Sequence, residues 1–336
     1  MNPKNMMRPL FVSFFALLAL GLTSDRVCAE QSAPLQQQMA LPNVQAAGGM
    51  LLAATHAGAR LIAVGEYGAV LLSDDEGKHF RQAVTVPTRA ALTSVSFSDA
   101  NHGWAAGHWG TIIHTSDGGQ TWTLQRSDVT TDQPLFSIYF SDVSNGVAVG
   151  LWSLLLTTQD GGQSWHQMKL QNPPDGGRAD RNLMGLFNSG KHIYAVAERG
   201  MVLRSDDLGM NWTYLDTGYK GSFWTGLALQ DGSLLVAGLR GTIYRSSDGG
   251  EHWQAVASGV KSSITGLAEI GGRVVAVALD GVVLWSNDKG LSFDTAQRTD
   301  RITLTAISPT GKGQAIGFSK QGVVADLMRD FPKTSD

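Results

Sequence analysis

Apolar and polar positions alternate along most of this chain in short runs, each stopped by Gly, Ser and Asp. One stretch shows the full order: LTSVSF (92–97), GWAAG (103–107), GTIIHTS (110–116) and TWTLQ (121–125), four period-two runs that predict four strands. Between the third and fourth stands an eight-residue frame, TSDGGQTW, from Thr115 to Trp122. Near-copies start at Ser73, Thr158, Ser205, Ser246 and Ser286. The third position is Asp in every copy: Asp75, Asp117, Asp160, Asp207, Asp248 and Asp288. The fifth is Gly and the eighth an aromatic: Phe80, Trp122, Trp165, Trp212, Trp253 or Phe293. Successive frames start 42, 43, 47, 41 and 40 residues apart, the spacing of one supersecondary unit stacked repeatedly.

The frame is built for a tight hairpin. A Ser or Thr hydroxyl and an Asp carboxylate two residues on both accept from nearby backbone N–H groups, and Gly takes positive φ with no Cβ to clash. The ring at its end covers the hairpin. The motif resembles the Asp box of sialidases and BNR-repeat proteins, where it is structural. Four antiparallel strands per repeat at this period predict a propeller blade. A second landmark counts the blades. A strand, a two-residue turn and a strand precede each box, as in AGHWGTIIH and AGLRGTIYR, and a seventh copy, IGFSKQGVVADL (316–327), has no box. The fold class is therefore all-β: a seven-bladed β-propeller of four-stranded blades with Asp-box turns. The seventh blade lacks an outer strand, which predicts ring closure by a segment from the other terminus, with Gln36 to Gln45 the candidate. Residues 49–336 form the propeller, and 30–48 a lead-in.

AAGHWGTIIHTSDGGQTW (105–122) and VAGLRGTIYRSSDGGEHW (236–253) carry a wider likeness. With the other repeats over 50–327 they resemble the photosystem II stability and assembly factor family, the Ycf48-like proteins. That resemblance implies a lumenal or periplasmic seven-bladed propeller that chaperones membrane-protein subunits into a complex and catalyses nothing. It implies membrane-protein subunits or their extramembrane loops as partners, with any membrane association arising through them.

Composition adds a compartment. Residues 1–29 read as an export signal: Lys4 and Arg8 give a positive start, Leu10 to Leu22 is apolar but too short to span a bilayer, and Val27-Cys28-Ala29 forms a small-residue cleavage site. A lipoprotein with Cys28 as acceptor is the rival, against which Asp25-Arg26-Val27 is a poor lead-in. Removal of the signal takes Cys28, the sole cysteine, and with it thiol chemistry and disulfides. The full chain carries a net charge of −3, and losing Lys4, Arg8, Arg26 and Asp25 makes it −5, which gives nucleic-acid binding no support. The expected molecule is a periplasmic monomer, lumenal in a photosynthetic host.

The candidate interaction surface comes from topology. If strands run from inner to outer in each blade, the turns between second and third strands share one face with the blade-to-blade crossovers, opposite the Asp boxes. These two-residue turns, read as Glu66-Tyr67, His108-Trp109 and their equivalents, carry Tyr67, Trp109, Trp152, Arg199, Arg240 and Lys320, where a turn that only closes a hairpin favours Asn, Gly or Asp. Aromatic and Arg side chains dominate binding hot spots. The ring is read as partner-binding, against the alternative that its aromatics cover blade edges and its cations are ordinary surface. The crossovers add cations such as Arg126, Arg181, Lys220, Lys261 and Arg298, with Trp224, and the longest, Asn172 to Asn182, is a candidate contact loop.

Catalytic and metal sites find little footing. A sialidase needs an arginine triad and a Phe/Tyr-Arg-Ile-Pro motif, and the first blade offers only Arg60 and Arg81 in other contexts. The box aspartates lie too far apart around a ring for the paired carboxylates of glycoside hydrolysis. A carbohydrate-binding or sialidase-like propeller is the alternative function, to be decided by a carboxylate pair in the central pocket. His102, His108 and His114 are regularly spaced but are expected at opposite strand ends, away from any shared zinc. A tight Asp-box turn supplies too few oxygens for calcium. No catalytic residue, cofactor or metal is expected.

Overall fold

In the computed structural model, residues 33–34, 37–43, 45–325 and 327 are described. They belong to the unit that starts at Ala33, and the export signal expected over residues 1–29 lies outside them. Seven antiparallel sheets follow one another in chain order, six of four strands and one of three. Blade 2 is representative, with strands Leu92–Phe97, Gly103–Gly107, Ile112–Thr115 and Thr123–Arg126 from the inside outward. The innermost strands of the other blades are Leu51–Ala57, Leu135–Phe140, Leu183–Ser189, Phe223–Ala228, Ile264–Ile270 and Leu304–Thr310. Second strands are the most apolar and the most buried: Leu61, Ile62, Ala63 and Val64, or Leu234, Leu235, Val236 and Ala237, are all 0% exposed. Both faces of such a strand meet a neighbouring blade, so alternation gives way to a continuous apolar run.

Each Asp box is built alike. In blade 1 the buried Ser73 hydroxyl donates to Asp75 (2.8 Å) and accepts from the Gly77 N–H (2.8 Å), while Asp75 accepts from the His79 N–H (2.9 Å). Thr115, Asp117 and Gly119 repeat this pattern in blade 2, and Ser286, Asp288 and Gly290 in blade 6. The box glycines have φ between 79° and 93°, and they are also where blades touch. A Cβ at Gly209 would come within 2.4 Å of Val147 in blade 3, and one at Gly290 within 2.9 Å of Leu235 in blade 5. A Cβ at Gly77 would come within 2.4 Å of Ile316 in blade 7, so the first box bears on the last blade and the ring closes. Phe80 meets Phe318 edge to face across the same seam.

Blade 7 has strands Leu304–Thr310, Gln314–Ser319 and Gly322–Val324, and no fourth among the described residues. Leu327, 1% exposed, enters the core between blades 6 and 7. Of the segment expected to supply a closing strand, the described residues form none. They run over blade 1 instead: the Ala40 N–H donates to the Val86 carbonyl (2.9 Å), and the Gln82 side chain bonds Leu41 and Asn43. Ala46–Gly48 then packs as a single 3-10 turn against the third strand of blade 7. A Cβ at Gly322 would come within 1.9 Å of the Ala47 carbonyl, so this turn seats on the strand only because the position is glycine.

The box carboxylates tie stability to pH. Hydrogen bonds from the Ser164 and Ser292 side chains lower Asp160 and Asp288 from 3.8 to about 2, and the backbone N–H groups of His79 and His252 hold Asp75 and Asp248 well below the usual range. A depressed carboxylate pKa contributes stability that is complete above the unfolded-chain value and is lost as pH falls through the folded one. The melting temperature is therefore expected to hold from pH 7 to about 5 and to drop between about 4 and 2. An Asp160→Asn, Asp288→Asn variant should melt lower at neutral pH and show a shallower acid limb. An unchanged acid limb in that variant would refute the assignment.

Candidate functional site: the turn face

The turns between second and third strands all meet the residue that precedes the innermost strand of their own blade. His108 N–H donates to the Ala91 carbonyl (3.0 Å), Leu239 N–H to Ser222 (3.0 Å) and Leu279 N–H to Ser263 (3.0 Å). Turns and crossovers thus share one face, as the strand order requires. In blades 1 to 6 the turn is closed by its first carbonyl, as Glu66 accepts from the Ala69 N–H (3.0 Å). The central pair is therefore Tyr67-Gly68 rather than Glu66-Tyr67, one residue later than the sequence pattern suggests. Tyr67, Trp109, Trp152, Arg199, Arg240 and Asp280 occupy its first position with φ from 53° to 58°. Glycine follows in five of these turns, and Ser153 (φ 56°) in the sixth. With φ positive at both centres these are type I′ turns, for which Asn, Asp and Gly are the natural residues. Tyr, Trp and Arg in the left-handed region cost about 1 kcal/mol each.

Five predicted ring residues therefore fall into equivalent slots, and Asp280 joins them. Tyr67 (65% exposed), Trp152 (61%), Arg199 and Arg240 are exposed, and Trp109 is half-buried. Lys320 is also exposed but belongs to a differently built turn, in which Ser319 accepts from the Gln321 N–H (3.0 Å) and Gly322 takes φ 97°. The face is divided: aromatics stand on blades 1 to 3, cations on blades 4, 5 and 7. Leu41 of the lead-in, 60% exposed, extends the apolar side beside Tyr67, where it helps frame a cavity of about 370 Å³ that reaches Glu66 and Arg89.

Several crossover residues hold the turns in place. The Trp152 N–H donates to the Asn182 side chain (2.9 Å), Asn182 donates to Glu198 (3.0 Å), and Ser153 donates through N–H and hydroxyl to the Arg181 carbonyl (2.8 and 2.9 Å). The long crossover thus ends by clamping the turn of blade 3 to that of blade 4. Arg181 itself is buried and paired with Asp175, Arg126 bonds the Gly110 carbonyl, and Arg298 pairs with Asp300. These cations support the face rather than extend it, while Lys220 and Lys261 are exposed. Trp224, expected in a crossover, lies in an innermost strand.

Seven innermost strands line a central channel of about 250 Å³ whose lining residues, among them Ser94, Ser137, Gly226 and Ala306, include no titratable side chain. No group of three or more His, Cys, Asp or Glu that could hold a metal occurs among the described residues. His102 and His114 are not at opposite ends, as the spacing suggested: their rings stack 6.4 Å apart on the Asp-box side, because both flank that end of adjacent strands. Burial, with the nearby charge of His102, lowers the pKa of His114. His108 alone of the three stands on the turn face.

Replacing Tyr67, Arg199 or Arg240 with Asn should raise stability by several tenths to about 1 kcal/mol each, since Asn tolerates the left-handed region. Thermal or urea unfolding measures this, and loss of stability in all three would show that their side chains serve packing.

Comparison with known proteins places these features in a family. The sequence profile described as Photosynthesis system II assembly factor YCF48 matches residues 81–171 and 123–301, well over half of the chain. Photosystem II assembly protein Ycf48 from Thermosynechococcus vestitus (strain NIES-2133 / IAM M-273 / BP-1) is 46% identical over 41 residues, 12% of each chain and about one repeat. Among solved structures, YCF48 bound to D1 peptide superposes with a TM-score of 0.66 at 19% identity, covering 82% of this chain and 92% of that one. YCF48 from Cyanidioschyzon merolae gives 0.65 at 15%, covering 82% and 94%. The Cps50 (Swd1) β-propeller domain of Myceliophteria thermophila gives 0.64 at 13% with the same coverages, so structural likeness at these identities reports the fold alone. On the strength of the profile match across its repeats, the chain belongs to the photosystem II assembly factor YCF48 family.

Proposed function

We propose that this chain is an exported, non-catalytic assembly factor whose turn face holds an extended extramembrane segment of a membrane-protein subunit. The observation that carries this reading is the occupancy of the six left-handed turn slots. Hairpin closure alone selects Asn or Gly there, yet five slots hold Tyr, Trp or Arg. Strain retained at equivalent positions on one face points to use of the side chains. Family membership supports the class of role, and a relative's structure with a D1 peptide supports a peptide-like ligand.

The bound segment would lie across the face, its apolar groups against Tyr67, Trp109 and Trp152 and its acidic groups against Arg199, Arg240 and Lys320. Holding it would keep the subunit from premature contacts until its proper neighbour arrives. Among the described residues no helix is long and apolar enough to cross a membrane, in keeping with action from the periplasmic or lumenal side through a partner. The glycosidase alternative lacks its deciding feature, since no carboxylate lines the channel.

Affinity capture from the native membranes, read by mass spectrometry, tests the proposal. The wild-type chain should retain membrane-protein subunits that fall at least about tenfold with Trp109→Ala, Trp152→Ala, Arg199→Glu and Arg240→Glu combined, as expected when hot-spot residues are lost. Recovery of the same subunits by both forms would overturn it.

A further inference from the structure

Every innermost strand carries a β-bulge at its second residue: Leu52, Thr93, Phe136, Met184, Trp224, Thr265 and Thr305. The bulge lies where the strand leaves its crossover, at the turn-face mouth of the channel, and all seven residues line that channel half-buried. Bulges re-aim side chains, and these seven slots are equivalent by the repeat.

Three slots show what the fold asks of this position. Thr93 donates to the Leu135 carbonyl of the next blade (2.6 Å), Thr265 to Leu304 (2.9 Å) and Thr305 to Leu51 across the closing seam. A threonine here fastens one blade to the next. Leu52, Phe136 and Met184 cannot make that bond, and with Trp224 they leave large apolar side chains half-buried at the mouth, Met184 resting with one side on the core between blades 4 and 5. Apolar surface left half-exposed where a fastening hydroxyl fits is unfavourable for the free protein and favourable for a complex.

We infer that Phe136, Met184 and Trp224, on three consecutive blades, with Leu52 on blade 1, form a subsite at the channel mouth that takes one large apolar side chain of a bound extended segment. This rests on the proposed function and names the chemistry the face selects. The occupant follows from the surroundings: Arg199 and Arg240 stand in the turns of the same blades as Met184 and Trp224, so the segment carries its apolar residue beside carboxylates. The channel, about 250 Å³ in volume and lined otherwise by residues such as Ser94, Ser137 and Thr225, has room for a ring or branched chain to enter end-on.

The repeat supplies the control. Met184→Thr and Trp224→Thr install the residue that three other blades already use, so the double variant should fold and melt within a few degrees of wild type. The probe is a pair of capped Gly/Ser/Asp peptides of about ten residues, identical except for a central Phe or Ala, titrated by fluorescence anisotropy. The Phe peptide should bind wild type at least about tenfold tighter than the Ala peptide, the effect of burying one such side chain, and the double variant should bind both alike. Equal binding of the two peptides by wild type, with both lost in Arg199→Glu, Arg240→Glu, would overturn the subsite while leaving the face as a ligand surface. Binding of neither peptide would overturn the subsite as well, and membrane capture would then judge the face on its own. A large loss of melting temperature in the double variant would overturn it too, by making the arc a packing cluster.

Discussion

A buried hydroxyl at the head of each Asp box is what the architecture hangs on. It accepts the N–H of the box glycine and donates to the box aspartate, so one side chain sets the hairpin that ends every complete blade. The glycine so placed, in the left-handed region, lies close against an apolar or amide side chain of the preceding blade, at a separation that in five of the six boxes would bring a Cβ within 3 Å of it. Local turn chemistry and long-range packing meet at one atom. That coincidence lets six scattered octapeptides determine a ring, because each fixes both the shape of its own blade and its distance from the one before.

Most of the fold was legible in the sequence for this reason. The box, the period and the strand alternation agree with one another, and consistency across levels is what specifies a fold. The first two strands expected in blade 2 stand where the pattern put them, whereas the third begins at Ile112 because Gly110 is spent in the turn and the fourth begins at Thr123 because Thr121 and Trp122 still belong to the Asp box. The closing segment was less legible. Its contacts, such as Ala40 with Val86 and Ala47 with Gly322, use backbone and small side chains, which leave no alternation to read.

The candidate site was legible only as a list of unusual turn residues. Composition singled out Tyr67, Trp109, Trp152, Arg199 and Arg240, whereas their left-handed backbone and the one-residue shift of the turn depend on hydrogen bonding that the sequence does not display. The bulge residues were harder still: Leu52, Phe136 and Met184 read as ordinary core positions at the start of a strand. Their common slot is visible in retrospect as the residue after Leu51, Leu92, Leu135, Leu183, Phe223, Ile264 and Leu304, a large apolar residue buried to 2% or less in every blade.

The contacts made by the Asp boxes all run one way, each box glycine reaching back to the blade before it in the ring. Only the first box has nothing to reach for while the chain grows: its partner Ile316 belongs to the last blade, and His56 must likewise find Pro309, 253 residues on. Six junctions can therefore form between sequence neighbours, but the seventh must draw the two ends of the molecule together against the entropy of the whole loop. The ring is a chain with a clasp, and the clasp is the step at which a partly made propeller remains an open arc with two unprotected sheet faces.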